Sequence, residues 1–489
     1  MKQKLFYILA LAAGLGLHSC DSLFDNELPK HDLVGDNAIV DEKSAETALN
    51  GVYSYLDDSQ YNGGDLNTHL IIYNNIRLNM MKGTANSSFE TDQLFRMTYD
   101  ETEANYEGLW EQAYLVINAA NNVIYYTEQV DDSKFSDNGK NEILGEAHFM
   151  RAFANTLLLE HYAQFWDTSS QYGLVLRLEP SVLSNNSMPR TSVDSAYNSI
   201  LSDLEFAIQN GPDFYSNYRG CKTTAKAFKA NVLLMRGTQA DREEALRLAD
   251  EVISSDDFAL EETYGAIFQN KLTSPELMFT QYTDVPPTYE DNYQSLIRLL
   301  GAGQYTPKEY TSDDDLSEYY NIMNDEETER YKATLDSVIV NSSGTNPTKE
   351  IVINKFFSLE AVAMPMYYMR LAEVYLLKAE AMSYLDGYTI SDVLDVLNVL
   401  RGRANETAFE ASAYAGMEAV REEIFKEYIR ELGFENGDAF FYAARTMVDG
   451  ERLLRKYNVN FTNDNQLCFP IPSRELQYNY ALEGQQNPY

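Results

Sequence analysis

Two segments of the chain share a pattern in which an apolar stripe with helical spacing is followed by a glycine and then by a second stripe. The first segment spans 222–255 and has Gly237 between its stripes, and the second spans 370–404 around Gly387. Alanines recur along the stripes, and small side chains allow two helices to approach closely. Each segment is therefore predicted to form two packed helices joined by a short turn.

These paired stripes resemble the helix pairs of tetratricopeptide repeats, in which each unit buries its apolar face against its neighbours. Two weaker pairs are predicted, one from 141–162 with 192–209 and the other from 107–126 with 415–432. The predicted fold class is mostly α: a tetratricopeptide-like helical-repeat scaffold of four helix pairs with large loop-rich insertions and a few short strands.

Two blocks between the helices differ in composition from the rest of the chain. Residues 55–100 and 265–365 are rich in Tyr, Asn, Gly, Pro and Asp and have no sustained helical period, while 350–357 has the pattern of a short strand. Irregular segments of this length are uncommon in compact proteins and often carry function. We expect a helical scaffold that displays these two loop blocks on one side.

The N-terminus has the pattern of an export signal. Lys2 and Lys4 precede an apolar run over 5–17 that is too short to span a bilayer, so 1–19 is predicted to be a signal peptide. Residues 17–20, Leu-His-Ser-Cys, resemble a lipobox and predict lipidation of Cys20; plain cleavage before an unmodified cysteine is the alternative. Residues 20–40 are then the lipidated cysteine and a flexible tether, and several acyl chains would give stable anchoring.

Charge and cysteine content narrow the range of partners. The chain has 75 Asp and Glu against 38 Lys and Arg, a formal net charge of −37, which repels nucleic acid and weakly favours neutral ligands over acidic ones. Beyond Cys20, only Cys221 and Cys468 remain, and two cysteines far apart in sequence are too few to define a disulfide framework.

Several motifs, in order along the chain, carry a resemblance to a known family. They are a W-x-x-x-Y-x-x-I-x-x-x-N helix at 110–121, G-E-A-x-F-x-R-A at 145–152, R-x-A-E-V-Y-L-x-x-A-E-A at 370–381, L-N at 397–398 with R-x-R-A at 401–404, P-I-P-x-x-E-L at 470–476 and the closing Q-N-P-Y at 486–489. The chain resembles the SusD/RagB family of outer-membrane nutrient-binding lipoproteins of Bacteroidetes over nearly its whole length. It departs from the family pattern at 427–432, at 436–438 and in lacking a glycine before the final tyrosine.

The resemblance implies a specific organisation and function. A SusD-like domain over 41–489 would hold four tetratricopeptide-like units, stand at the cell surface on its outer-membrane lipid anchor, and cap a SusC-like TonB-dependent transporter. It would bind oligosaccharide or polysaccharide for uptake, with no catalysis and no cofactor. A peptide-binding member of the same family and a helical-repeat scaffold that binds a protein partner are the alternatives.

Sugar recognition requires aromatic faces for the C–H faces of the ring and polar groups for its hydroxyls, and tyrosine supplies both. The chain has 36 Tyr and 2 Trp, and both loop blocks contain tyrosines beside amides and charges. The ligand-contact candidates are Tyr61, Tyr73, Asn75 and Arg77 in the first block and Tyr282, Tyr289, Asn292, Tyr293, Tyr305 and Tyr310 in the second. For any one tyrosine, ordinary half-buried packing is the competing interpretation. Trp110 lies inside a scaffold motif and Trp166 ends a predicted core helix, so both are predicted to pack structurally.

Acidic residues cluster at 309–329 with no Lys or Arg until Arg330. Asp313, Asp314 and Asp315 are weak calcium candidates, but the spacing lacks the EF-hand pattern, and a solvated acidic loop is favoured. No H-E-x-x-H, G-x-S-x-G or phosphate-binding loop occurs, and with 75 acids no carboxylate pair stands out in sequence. The sequence therefore predicts no catalytic residue.

Overall fold

The computed structural model describes residues 38–56, 66, 68–83, 93–102, 107–281, 305–307, 322–323, 328–339, 349–353, 355 and 366–488. Helices dominate these residues. In chain order they are α1 (Glu42–Ser54), α2 (Asn74–Arg77), α3 (Glu107–Gln129), α4 (Gly139–Tyr162), α5 (Val193–Asn210), α6 (Lys222–Arg236), α7 (Gln239–Ile253), α8 (Tyr264–Asn270), α9 (Glu329–Thr334), α10 (Leu371–Tyr384), α11 (Ile390–Arg403), α12 (Met417–Leu432), α13 (Asp438–Arg445), α14 (Leu454–Tyr457) and α15 (Ser473–Tyr478).

The longer helices form a continuous stack that follows the order of the chain. Helix α3 packs on α1 and α4, α4 on α5, α5 on α6, α6 on α7, and α7 on α10. Helix α10 then packs on α11 and α12, and α12 on α13. Because each helix contacts its neighbours in sequence, this is the quasi-one-dimensional packing of a helical-repeat scaffold, as predicted.

Three of the four predicted helix pairs are confirmed, as α4 with α5, α6 with α7, and α10 with α11. The fourth prediction, which paired 107–126 with 415–432, is wrong. Those segments are α3, which packs on α1 and α4, and α12, which packs on α10, α11 and α13. Each has a nearer partner in the chain, and short connections favour such local pairing.

The turn between α6 and α7 shows how the sequence fixes a pair. Gly237 ends α6 with φ +69°, a left-handed conformation that favours glycine. Thr238 then begins α7 with a reciprocal cap: its hydroxyl accepts from the Asp241 backbone N–H at 3.2 Å, and the Asp241 carboxylate accepts from the Thr238 N–H at 3.1 Å. The two helices are therefore antiparallel neighbours.

The core centres on α4, which is buried along most of its length from Ile143 to Tyr162. Phe149 and Phe153 of α4 meet Phe228 of α6 and Phe279 edge to face, with ring centroids 5.1–5.9 Å apart. None of the helices described here is both long and apolar enough to cross a membrane.

The strands are short and occur in antiparallel pairs. They are β1 (Met81–Gly83), β2 (Leu277–Phe279), β3 (Tyr305–Pro307), β4 (Leu335–Ile339), β5 (Lys349–Ile353), β6 (Met369–Arg370), β7 (Met447–Val448) and β8 (Glu451–Arg452). The pairs are β1 with β3, β2 with β6, β4 with β5, and β7 with β8. Strand β5 confirms the strand predicted at 350–357, displaced slightly toward the N-terminus.

Candidate functional site

The two predicted loop blocks meet in the structure. Strand β1 belongs to the first block and β3 to the second, and they pair antiparallel with Met81 opposite Pro307 and Gly83 opposite Tyr305. Strand β3 also contacts β5, which pairs with β4. Segments more than 200 residues apart in sequence are therefore joined here, and this junction is the candidate functional site.

The second block joins the helical scaffold at its two ends, which lie next to each other. We call this junction the root of the block. Strand β2 precedes most of the block and β6 follows it, and the two strands pair with Leu277 opposite Arg370. The block is also less irregular than predicted, because α8 and β2 occupy 264–279. The pairing of β2 with β6 thus holds the two ends of the block side by side.

A buried charge network surrounds this root, with Arg370 at its centre. Arg370 Nε donates to Glu435 Oε2 at 2.7 Å, and its Nη1 lies 3.1 Å from Glu431 Oε1. Glu276 accepts from the same Nη1, and its other oxygen accepts from Arg403 Nη1 at 2.9 Å. The side chains of Arg370, Glu276 and Glu431 are fully buried. Buried charges of this kind require partners of opposite charge, and each of these side chains has at least one.

Two cations of the second block enter the same network. Arg330 of α9 donates to Glu427 Oε1 at 2.6 Å and pairs with Glu431 Oε2 at 2.9 Å. Lys355 Nζ donates to Glu435 Oε1 at 2.7 Å and to the Glu431 carbonyl at 3.2 Å. Both side chains are buried, so these contacts attach the block to α12 and to the residues that follow it.

The ionisation of the network follows from its geometry. Burial alone would raise the pKa of Glu431, but Arg403, Arg330 and Arg370 lower it below its usual range. Burial lowers the pKa of Lys355 to about 8, although Glu435 opposes that shift. The network therefore keeps Glu431 ionised at neutral pH.

A second buried cluster lies close by, inside the stack, and contains Glu160 of α4, Glu373 of α10 and Asp438 of α13. Burial and the neighbouring Asp438 raise the pKa of Glu373 well above its usual range, and Glu373 and Asp438 share a hydrogen bond. Burial likewise raises the pKa of Glu160. Asn436 Nδ2 donates to Glu373 Oε2 at 2.9 Å and to Asp438 Oδ2 at 2.6 Å. At these acids burial outweighs the nearby cations, which is the opposite of the balance at Glu431.

Three predicted ligand contacts, Tyr73, Asn75 and Arg77, lie in the protein interior, and we withdraw them as ligand contacts. They belong to a π-helical turn at Thr68–Tyr73 and to α2, a helical segment where the sequence analysis expected loop. Tyr73 is 2% exposed, and Asn75 Nδ2 donates to the Ile71 carbonyl at 2.7 Å. The apolar residues of the L-I-I-Y-N-N-I-R sequence at 70–77 are the signal that would have indicated a buried helix.

Arg77 shows why residue type alone does not identify a ligand contact. Its guanidinium donates to the Tyr99 hydroxyl at 2.9 Å and to the Leu467 carbonyl at 2.6 Å, and lies 4.0 Å from the Phe440 ring centroid. It is fully buried. An arginine so completely satisfied by internal partners has no group left for a ligand.

Most other candidates lie outside the described residues. These are Cys20, Tyr61, Tyr282, Tyr289, Asn292, Tyr293, Tyr310, Asp313, Asp314 and Asp315. Tyr305 is described as part of β3, directly at the junction of the two blocks. In the described part of the chain, no group of three or more His, Cys, Asp or Glu is arranged to hold a metal ion.

Trp110 packs against Tyr162 with ring centroids 5.1 Å apart, as predicted. Trp166 is half-buried against the core but lies beyond α4, which ends at Tyr162, so it does not end that helix.

Cys221 and Cys468 are both buried and free, so they do not form a disulfide with each other.

The sequence motifs have structural roles that the geometry explains. Glu146 of the 145–152 motif accepts from Tyr53 Oη at 2.8 Å and from Arg219 Nε at 2.6 Å. Asn487 of the closing motif donates to the carbonyls of Tyr162 and Phe469 at 2.9 and 2.7 Å. The 370–381, 401–404 and 427–432 segments supply Arg370, Arg403, Glu427 and Glu431 of the buried network. Sequence analysis did not single out their partners Glu276, Arg330 and Lys355, since nothing in the local sequence marks those residues as buried.

The fold and these contacts define a class of protein: a tetratricopeptide-like helical scaffold with an insertion joined to it by short strands and a buried charge network. A family described as "Starch-binding associating with outer membrane" matches residues 30–234, and one described as "SusD family" matches residues 288–489. The chain belongs to the SusD family.

Relatives and solved structures agree with this membership. SusD-like protein P2 of Formosa agariphila is 23% identical, over 98% of each chain. A SusD superfamily protein from Bacteroides thetaiotaomicron superposes with a TM-score of 0.71 at 22% identity, covering 92% of this chain and 100% of that one. Surface glycan-binding protein A from Bacteroides fluxus gives a TM-score of 0.69 at 20% identity, again over 92% and 100%. At these identities the structural likeness establishes the fold.

Proposed function

We propose that this protein captures oligosaccharide or polysaccharide at the cell surface and delivers it to a SusC-like TonB-dependent outer-membrane transporter, with no catalysis of its own. The observation that carries the proposal is the pairing of β1 with β3, two strands that belong to the two tyrosine-rich blocks of a SusD-family chain. Membership of a family whose description includes starch binding and association with the outer membrane supports the ligand class and the location.

Recognition would come from the residues of the blocks that remain candidates. Tyr305 stands at the junction, and Tyr61, Tyr282, Tyr289, Asn292, Tyr293 and Tyr310 belong to the same two blocks. Tyrosine rings can cover the C–H face of a sugar while hydroxyl and amide groups bond to its oxygens. The network around Arg370 would hold the root of the second block in place, so that ordering this part of the site would cost little free energy on binding.

Anchoring and delivery complete the proposal. Lipidation at Cys20 would attach the protein to the outer membrane through the tether over 20–40, with the binding side facing the cell exterior. A tethered binding protein raises the local concentration of ligand at its transporter without any new contact to the ligand. The name of the Bacteroides fluxus protein, a surface glycan-binding protein, supports this reading by analogy of fold.

Affinity gel electrophoresis tests the ligand class. The chain from residue 21 onward is run in gels that contain neutral polysaccharides, acidic polysaccharides or none. We expect retardation by at least one neutral polysaccharide and none by the acidic ones. No retardation by any polysaccharide, together with binding of a peptide mixture, would contradict the proposal and favour the peptide-binding alternative.

Two further measurements test the remaining parts of the proposal. The retarding polysaccharide, incubated with the protein and analysed by chromatography over time, should show no shorter products. The full lipidated chain, coexpressed with a SusC-like TonB-dependent transporter, should copurify with that transporter from detergent-solubilised outer membranes. Time-dependent products would contradict the non-catalytic assignment, and failure to copurify would contradict delivery to that transporter.

A further inference from the structure

A preformed cleft lies on the scaffold, built from residues outside the two loop blocks. Its volume is about 320 Å³. The N-terminal half of α3, the segment 177–181 and helix α15 form its walls, and its aromatic residues are Trp110, Tyr114 and Tyr478. This volume lies at the lower end of the range of ligand pockets, roughly 300–1,000 Å³.

The three aromatic residues differ in a way that suits a ligand platform. Trp110 and Tyr114 contact each other with ring centroids 4.9 Å apart, and Trp110 is only 6% exposed, so they form a fixed wall. Tyr478 is 73% exposed, although it is a large aromatic residue on the rim of the cleft. An exposed aromatic ring beside a fixed aromatic wall is an arrangement that a ligand with an apolar face could cover.

Hydrogen bonds hold the walls in place. Tyr114 Oη donates to the Val175 carbonyl at 3.0 Å, and Asn118 Oδ1 accepts from the Ser181 backbone N–H at 2.9 Å. Asn479, directly after α15, accepts from the Met188 N–H at 3.0 Å and donates to the Met188 carbonyl at 2.9 Å. The three segments are therefore fixed to one another, which lowers the conformational cost of binding.

The charges of the cleft favour a neutral ligand. Arg474 pairs with Glu107 at 3.4 Å, and Arg177 donates to the carbonyls of Asn185 and Asn186 at 3.0 and 2.7 Å. Both guanidinium groups thus already have partners, whereas Glu111 and Glu475 add negative charge to the lining. An anionic sugar would meet this negative charge without an uncommitted cation, whereas the hydroxyls of a neutral sugar could bond to carboxylate and amide groups.

We propose that this cleft binds a short stretch of a neutral saccharide chain, with a sugar ring stacked on Tyr478, as a second site separate from the loop blocks. The choice of ligand class rests on the proposed function, but the site itself does not, because no loop-block residue contributes to it. Two sites on one polysaccharide would add avidity without strengthening either contact.

Tryptophan fluorescence offers a local measurement of this site. The chain has only 2 Trp, so the Trp166→Phe protein reports on Trp110 alone. Neutral trisaccharides of glucose, galactose, mannose and xylose are titrated into it, with trigalacturonic acid as the acidic probe. We expect at least one neutral trisaccharide to change the emission, and Tyr478→Ala to weaken that response about tenfold, the equivalent of about 1.4 kcal/mol.

Tyr480→Ala is the matched control, because Tyr480 is 80% exposed, lies two residues further on and does not line the cleft. The inference requires that Tyr480→Ala leave the titration unchanged and that circular dichroism show both variants folded. Equal weakening by both substitutions, or stronger binding of trigalacturonic acid, would overturn it.

If polysaccharide retards the protein in gels while no neutral trisaccharide changes the emission, the second site is wrong and the proposed function stands. If Tyr478→Ala abolishes retardation while the loop tyrosines prove dispensable, the cleft is the principal site and the loop-block assignment fails.

Discussion

Two buried polar clusters meet at the start of α10, and they deal with charge in opposite ways. Around Arg370, each buried carboxylate lies against a guanidinium or an ammonium group. In the cluster around Glu373, the carboxyls of Glu160 and Asp438 lie near Arg445, whose Nη2 already pairs with Glu380 Oε2 at 2.7 Å. The first cluster lies where the second loop block joins the scaffold, and the second joins three helices of the stack. Ion pairs thus secure the insertion, whereas within the scaffold burial raises the pKa of the clustered acids.

The largest expected effect comes from breaking the paired cluster. Arg370→Met leaves Glu276, Glu431 and Glu435 without their common guanidinium, and removing one partner of a buried ion pair costs about 3–5 kcal/mol. The midpoint of urea unfolding should fall accordingly. Arg247→Met is the control, since Arg247 pairs with Glu244 and Glu251 on an exposed surface, where such pairs contribute about 1 kcal/mol or less. Equal shifts in the two variants would contradict the difference between a buried and an exposed network.

A smaller effect, with a distinct pH dependence, is expected from the protonated cluster. The raised pKa of Glu373 means that the folded protein holds a proton that the unfolded chain releases above its ordinary pKa. The stability from this group is therefore fully present below that ordinary value and is lost as pH rises through the raised pKa. Glu373→Gln, which resembles the protonated side chain, should remove this loss and flatten the dependence of the unfolding free energy on pH. Between pH 5 and pH 8 the two proteins should diverge by more than about 1.4 kcal/mol, which corresponds to one pKa unit.

The control for that measurement is Glu427→Gln. Burial alone would raise the pKa of Glu427, but Arg330, Arg430 and Arg401 hold it below its usual range. This group therefore contributes stability above its ordinary pKa that is lost as pH falls. Glu427→Gln should lower stability at neutral pH, the opposite sign to the relief expected from Glu373→Gln. The same sign in both variants would show that the two clusters do not differ as described.

The smallest effect is expected at a polar group outside both clusters. Cys221 is free and caps the first turn of α6, where its Sγ accepts from the Thr224 backbone N–H at 3.4 Å. Serine is a preferred residue at such a position, so Cys221→Ser should change the unfolding free energy by no more than about 1 kcal/mol. A reductant should leave the melting temperature of the wild-type protein unchanged. A clear fall on reduction would contradict the free state of Cys221 and Cys468.

The sequence predicts the helix pairs well because each stripe and its turn are local. Gly237 with Thr238, and the stripes on either side, contain all that α6 and α7 need. The pairing of 107–126 with 415–432 failed because periodicity identifies an apolar face but not the distant helix that covers it. The pairing of β1 with β3 could not be predicted either, since three-residue strands leave almost no alternating pattern in the sequence.

The site was predicted less well than the fold, for a chemical reason. Asparagine, arginine and tyrosine serve equally as ligand contacts and as satisfied interior groups, so residue type could not separate Asn75 or Arg77 from true surface residues. Burial decides between the two roles, and burial depends on the packing of the turn at Thr68–Tyr73 against distant helices. Tyr478 was overlooked because ligand contacts were sought only in the two loop blocks, and Tyr478 lies outside both.

The central claim of this account is that ligand recognition depends on the loop blocks and stability on the helical scaffold, and one measurement tests it most directly. Tyr289 and Tyr305 are replaced together by alanine in the chain from residue 21 onward, with Tyr388→Ala as a control at an exposed position on the scaffold. Affinity for the polysaccharide that retards the wild-type protein and the midpoint of urea unfolding are then measured on each protein. The account predicts at least a tenfold loss of affinity in the double variant, the equivalent of about 1.4 kcal/mol, with an unchanged midpoint. Undiminished affinity in the double variant, or a loss equal to that of Tyr388→Ala, would contradict it.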